Sequence, residues 1–198
     1  MRLAWAVLAA ILASAPLSAG EAPKPTLNAA LPDSLFPTNF GGAYRLTDHH
    51  GRTRTEADPD GNLQLVFFGY ATCEAICTVA LPIMSEMAAD LAAQGIGVTP
   101  IVITVDPEVD TVDSMGPALA AHAPGLLGLT GSADDLAATR ALFHVEAEPL
   151  FVDPLGQTIY AHGSHIYVMD ARGGFLTLLP PVLSTERMVE IVAGYAAG

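Results

Sequence analysis

Apolar positions along the chain alternate between runs of strand type and stretches with helical spacing. Leu63 to Phe68 (LQLVFF) is a short apolar run of strand type, and Val79 to Leu91 (VALPIMSEMAADL) repeats apolar side chains at helical spacing. Gly95-Ile96-Gly97 closes that helix. Val98 to Val105 (VTPIVITV) is β-branched and nearly all apolar, as expected of a strand buried on both faces. Asp106-Pro107-Glu108 ends it, Asp110 is placed to cap a helix from Thr111 to His122, and Pro124-Gly125 stops that helix. Leu126 to Leu129 is short and apolar, and reads as an edge strand or a loop. Ser132-Ala133-Asp134-Asp135 resembles a capping box for a helix from Ala133 to Phe143. Glu148 to Val152 and Thr158 to Ala161 flank a turn at Asp153-Pro154-Leu155-Gly156. Ser164 to Met169 (SHIYVM) is a strand, Asp170 to Gly174 turns it into Phe175 to Leu179, and Ser184 caps a last helix from Thr185 to Ala196. Upstream, Ala43 to Leu46 with the turn Thr47 to Gly51 fits a hairpin strand, and His49 and His50 in that turn are expected to face water.

The order strand, helix, strand, helix, helix, hairpin, helix predicts an α/β domain. A parallel βαβ start followed by an antiparallel hairpin gives a mixed sheet flanked by helices on both faces. That is the plan of a thioredoxin-like domain, here with an N-terminal hairpin extension.

The first residues follow another pattern. Arg2 precedes an apolar run, Leu3 to Leu12, and small residues Ser18-Ala19-Gly20 follow. Residues 1–20 read as an export signal, or alternatively as an uncleaved membrane anchor. Residues 21–39, with Pro23, Pro25, Pro32 and Pro37, read as a Pro-rich tether, and 40–198 as the folded domain. Neither cysteine lies in the leader, so it offers no lipid attachment site. Over the 198 residues the net charge is −13, which argues against nucleic acid and anionic membrane surfaces as partners.

The chemistry concentrates at the junction between the first long strand and its helix. Cys73 and Cys77 are the only two cysteines, three residues apart. Where both lie in the first helical turn, their thiols share a face, and a helix N-terminus favours the thiolate form. Such a pair can bind a soft metal, close into a disulfide, or do both at different times. A purely structural bridge over so short a gap would constrain little of the unfolded chain. After export the pair meets an oxidising compartment, where a redox role needs an external reductant.

A third ligand must come from another loop. His162 lies immediately before the hairpin strand, and in a thioredoxin-like sheet that loop faces the cysteine helix. Redox thioredoxins usually place a proline there, whereas this chain has Ala161 and Gly163 on either side of the histidine. Two thiolates and one imidazole suit copper. Structural zinc would want four protein ligands, and His165 is a candidate for the fourth. His165 is also the rival of His162, expected on the strand face shared with Tyr167 and Met169, where packing is the commoner role. His122 and His144 read as surface or packing residues on helices, and Met84 and Met87 as core.

From about Phe40 to Ala193 the chain resembles the Sco/SenC family of copper-binding, thioredoxin-like assembly proteins. FGGAYRLTDHHG resembles the family's opening strand and turn, FFGYATCEAIC its CxxxC site, ITVDPEVDT its SVDPERDT segment, GLTGSADDL its GLTG segment, and HGSHIYVMDARGGF its histidine loop and hairpin. The resemblance places metal ligands at Cys73 and Cys77. Counting back five residues from Tyr167, as in the family pattern, makes His162 the third. Glu74 and Thr78 replace the two prolines of the usual CPxxCP, and Ala161 replaces the aspartate that usually precedes the histidine. These changes alter the shell around the metal rather than the ligands.

The resemblance implies a periplasmic chaperone that holds Cu(I) or Cu(II) and passes it to the binuclear copper centre of cytochrome c oxidase, or to another copper protein. This would be a carrier rather than a turnover enzyme. The alternative is a thiol–disulfide oxidoreductase or redox sensor using Cys73 and Cys77. A peroxiredoxin-like activity fits poorly, since no arginine lies close in sequence to Cys73.

Overall fold

The computed structural model describes residues 39–71 and 77–197. The predicted leader (1–20), nearly all of the tether (21–39) and Cys73 lie outside the described residues. The elements are β1 (Leu46–Asp48), β2 (Thr53–Arg54), β3 (Leu63–Gly69), α1 (Cys77–Ala93), β4 (Val98–Thr104), α2 (Val112–His122), β5 (Leu127–Thr130), α3 (Ala133–Leu142), β6 (Glu148–Val152), β7 (Thr158–Ala161), β8 (Ile166–Met169), β9 (Phe175–Leu179) and α4 (Thr185–Ala196). Among the described residues no helix is long and apolar enough to cross a membrane.

Seven strands form one sheet in the order β2-β1-β5-β4-β3-β8-β9. β3, β4 and β5 run parallel; β8, β9, β1 and β2 add to its two sides antiparallel. This is the predicted thioredoxin-like mixed sheet with a hairpin extension. β3 is central because five of its seven residues are apolar and it is buried on both faces; Phe67 and Phe68 are among its largest buried side chains. Leu81, Met84, Met87 and Leu91 recur along the inner face of α1, all fully or almost fully buried, as the helical spacing predicts. Burying one such side chain contributes about 1.5–3 kcal/mol.

Three elements differ from the sequence reading. Leu127–Thr130 is an interior strand, not an edge or loop: β5 lies between β4 and β1 and is wholly buried. Its signal is weakened by Gly128, whose place under α2 leaves no room for a side chain. A Cβ there would stand 2.8 Å from both Leu119 and Met115. The second difference is the cap of α2. Thr111, not Asp110, is the N-cap, exchanging reciprocal bonds with Ser114, because the Asp110 carboxylate is engaged in the interior. Third, the first strand begins at Leu46 and includes Thr47 and Asp48, because β1 pairs with both β2 and β5.

The β1–β2 turn is organised by a buried carboxylate. Asp48 accepts the backbone N–H groups of His50 and Arg52 on one oxygen and the Nε groups of Arg52 and Arg54 on the other, at 2.8–3.1 Å. His49, expected to be solvated, is half-buried. Its Nδ1 accepts the Gly128 N–H at 3.0 Å and ties the turn to β5, and burial lowers its pKa. Burial alone would raise the pKa of Asp48, but these donors outweigh it and hold the group at about 2, against an ordinary 3.8. The resulting stability is present above the ordinary value and is lost as pH falls from about 4 to about 2. It amounts to roughly 2 kcal/mol. Denaturant titrations at pH 5 and pH 2 should show this loss in the parent chain, and Asp48→Asn should flatten that part of the profile. An unchanged profile in the variant would refute the assignment.

Candidate metal centre

Topology brings three loops to one edge of the sheet. β3 and β4 are parallel and in register from Leu63↔Val98 to Gly69↔Thr104, so the chain leaves both strands at the same end. β8 runs antiparallel to β3, with Val66 opposite Tyr167, so the loop that precedes β8 arrives at that end too. The first loop leads to Cys77, the second contains Asp106 to Asp110, and the third carries His162.

Cys77 is the first residue of α1 and is 2% exposed. Its side chain fits because residue 69 has none: a Cβ on Gly69 would stand 2.8 Å from the Cys77 sulfur and 2.8 Å from the Phe67 ring. Cys77 Sγ lies 3.7 Å from His162 Nε2. The other ring nitrogen, Nδ1, is 3.0 Å from the carbonyl oxygen of Gly163. A carbonyl can only accept, so Nδ1 carries the proton and Nε2 presents its lone pair toward the sulfur. Phe67 and Tyr70 meet the imidazole in edge-to-face contacts with centroids 5.8 Å away, and Tyr160 stands against Tyr70. The ring is thus oriented by one hydrogen bond and by aromatic walls.

The donors suit a soft transition metal. A sulfur and a nitrogen sharing one ion at about 2.3 and about 2.0 Å stand roughly 3.5–3.7 Å apart at tetrahedral to trigonal angles. The Cys77–His162 gap already has that length. Among the described residues no cluster of three or more His, Cys, Asp or Glu is arranged to hold a metal ion. The predicted third donor, Cys73, lies in the segment outside them.

His165 is placed differently from the expectation. β8 begins at Ile166, so His165 is an exposed loop residue, not a strand residue beside Met169. It shares with His144, Glu146, Glu148 and His162 the lining of an open cleft of about 410 Å³. His144 stands just past the end of α3 with φ at +53°, 3.3 Å from the Asn39 carbonyl oxygen and edge-on to Phe40. It serves packing, as expected, but from outside the helix.

Two acidic residues at this edge were not singled out as site residues from the sequence. Asp110 is 1% exposed, and one of its oxygens accepts both the Ala71 N–H at 2.9 Å and the Thr104 hydroxyl at 2.7 Å. Ala71 is two residues before Cys73, so Asp110 fastens the start of the cysteine loop to the end of β4. Burial, reinforced by neighbouring Asp106, raises the Asp110 pKa despite these donors. Asp106 is also buried and bonds the Tyr160 hydroxyl. Burial shifts both groups upward, and for Tyr160 the negative charge of Asp106 adds to the effect. The spacing of two aspartates four residues apart after a buried strand was the available signal.

Three comparisons bear on this arrangement. The protein sco1 of Schizosaccharomyces pombe is 33% identical over 160 residues, covering 79% of this chain and 60% of that protein. The chain spans about three-fifths of the length of the curated relatives it matches first. Among solved structures, Bradyrhizobium japonicum ScoI with copper bound superposes with a TM-score of 0.69 at 30% identity, covering 80% of this chain and 98% of that one. Yeast Sco1 with copper bound does so with a TM-score of 0.73 at 26% identity, covering 81% and 90%. The family model described as SCO1/SenC matches residues 32–197, and the chain belongs to that family.

Proposed function

We propose that the chain is an exported copper chaperone. Cys73, Cys77 and His162 hold the copper, and the cargo passes by ligand exchange to the binuclear copper centre of cytochrome c oxidase. The observation that carries this reading is the imidazole of His162, with Nδ1 bonded to Gly163 and Nε2 facing the Cys77 sulfur at 3.7 Å. Its support from relatives is that ScoI and yeast Sco1, which share the fold, were solved with copper bound. Residues 1–20 act as the export signal or anchor, and residues 21–39 as the tether that lets the domain reach its client.

In this reading the thiols enter the site as thiolates, so copper uptake releases protons and weakens as pH falls. Ligand exchange needs low coordination, and a three-donor site leaves room for an incoming donor. A second reading is favoured by the burial of Cys77 at a helix start beside an imidazole. One thiolate of the pair attacks a partner's disulfide and the other resolves the mixed disulfide. The partner is left reduced and Cys73–Cys77 oxidised.

The test is copper loading of the reduced protein, followed by stoichiometry and visible spectrum. One copper per chain with thiolate-to-Cu(II) charge-transfer bands is expected. His162→Ala should weaken Cu(II) by more than about 100-fold while leaving Cu(I) largely with the two thiolates, and His165→Ala should change either less than about threefold. If His165→Ala abolishes Cu(II) binding and His162→Ala does not, the ligand assignment is wrong. If neither matters and disulfide reduction persists, the reductase reading replaces this one.

A further inference from the structure

The backbone around His162 does little to place it. Ala161 and Gly163 flank it, one with a methyl side chain and the other with none. The bond between Nδ1 and the Gly163 carbonyl lies within the same loop, so it orients the ring but moves with the loop. That loop continues from β7, and β6 and β7 pair with each other in a sheet that shares no ladder with the seven-stranded one. Side chains must therefore hold this segment against Cys77. Within β6 and β7, Tyr160 is the residue that packs on the hydrophobic core.

Tyr160 is fastened through both its ring and its hydroxyl. Its ring meets Tyr70 with centroids 5.7 Å apart, and the His162 ring meets the same Tyr70 at 5.8 Å. Residues 160 and 162 thus lie on one side of the chain, as the two-residue period of an extended segment requires. Tyr70 is 1% exposed and is packed in place. The Tyr160 hydroxyl bonds the carboxylate of Asp106, in the loop after β4. Burial, and then the negative charges of Asp106 and Glu108, keep the phenol proton on, so the hydroxyl donates. Asp106 is buried and held on every side. Its N–H donates to the Thr104 hydroxyl oxygen at 2.9 Å, and its backbone carbonyl accepts the Asp110 N–H at 2.9 Å. Its carboxylate also accepts the N–H groups of Val109 and Glu108. The phenol therefore ties a segment without a ladder to a fixed point of the main sheet's edge.

We propose that Tyr160 is a positioning residue for the metal site: its hydroxyl, bonded to Asp106, fixes the end of β7 so that His162 Nε2 stays 3.7 Å from the Cys77 sulfur. The ring contact alone would let the segment slide along Tyr70, and the hydroxyl bond removes that freedom. The link matters more for Cu(II), which needs the imidazole, than for Cu(I), which stays with the thiolates. The identity of the metal rests on the function proposed above. The placement of His162 does not require that copper be bound.

The test uses the full chain, reduced, with Cu(I) and Cu(II) as the probes. Tyr160→Phe keeps the ring on Tyr70 and removes the hydroxyl. Its Cu(II) affinity, read by competition against a chelator, should fall by about tenfold, and its Cu(I) affinity should change less than about threefold. In the metal-free protein the Phe67 and Tyr70 rings displace the NMR signals of the His162 ring protons. In Tyr160→Phe those signals should move toward the values of a solvated histidine. Asp106→Asn keeps an oxygen that accepts from the hydroxyl, and its Cu(II) affinity should stay within about threefold of the parent. Asp106→Ala should lose at least about tenfold, and adding Tyr160→Phe to it should cost less than about threefold more. Equal Cu(II) affinity in the parent and Tyr160→Phe, equal losses for Cu(I) and Cu(II), or additive losses in the double variant overturn the proposal. Where Asp106→Ala does not fold, Tyr160→Phe and Asp106→Asn decide it. A parent that takes up no copper refutes the chaperone reading alone. The ring-proton signals of metal-free Tyr160→Phe then decide the positioning role, and signals that do not move overturn it.

Discussion

Replacing Cys77 by serine is expected to abolish tight copper binding while leaving the domain folded. A serine hydroxyl is a hard, weakly acidic donor, where a thiolate is soft and largely covalent toward copper. Loss of an outer-shell partner commonly costs 10–100-fold in metal affinity, so losing a ligand should cost more than about 100-fold. The fold should tolerate the change. Cys77 is buried beside His162 Nε2, and a serine hydroxyl is close in volume and can donate to that nitrogen. The loss of stability should be about 1 kcal/mol. Competition against a copper chelator reads the affinity and a thermal melt reads the fold. A variant that holds copper as firmly as the parent would exclude Cys77 from the site, whatever the fate of Cys73.

Much of this arrangement was legible because local chemistry and tertiary packing agreed. The apolar run through Phe67 and Phe68 read as a strand, and it is the central one. The spacing of Leu81, Met84, Met87 and Leu91 gave the buried face of α1, and Ser132 and Ser184 cap the helices they precede. His162 could be set before β8 because the strand order fixes which loops share an edge. The illegible parts are those where a distant partner claims a side chain. Asp110 had a cap's address, but its carboxylate accepts the N–H of Ala71, 39 residues upstream. His49 had a turn's address, but its ring accepts the N–H of Gly128, 79 residues away. Leu150, Phe151 and Val152 form an apolar run that stays exposed, and an apolar run by itself does not tell a buried segment from an exposed one.

Asp110→Ala is expected to damage stability and the metal site together, and Asp110→Asn to restore most of both. In the alanine variant the Ala71 N–H and the Thr104 hydroxyl lose their acceptor inside the protein. Ala71 is 4% exposed, and the Thr104 hydroxyl still receives the Asp106 N–H. Each orphaned donor costs about 1–3 kcal/mol, so a loss of at least about 2 kcal/mol in urea unfolding is expected. The segment freed by the loss of that bond leads directly into Cys73, and Cu(II) affinity should fall by about tenfold, within the range for outer-shell supports. Asparagine keeps a carbonyl oxygen able to accept from Ala71 and removes a buried negative charge facing Asp106. Its folding stability should therefore stay within about 1 kcal/mol of the parent, and most of the copper affinity should return. That rescue separates the hydrogen bond from the charge, since asparagine and aspartate fill the same volume and asparagine keeps the accepting oxygen without the negative charge. If alanine and asparagine variants lose copper affinity equally while the melting temperature of the asparagine form is intact, the Ala71 bond does not hold the site. The negative charge at position 110 would then have to act on the copper loop directly.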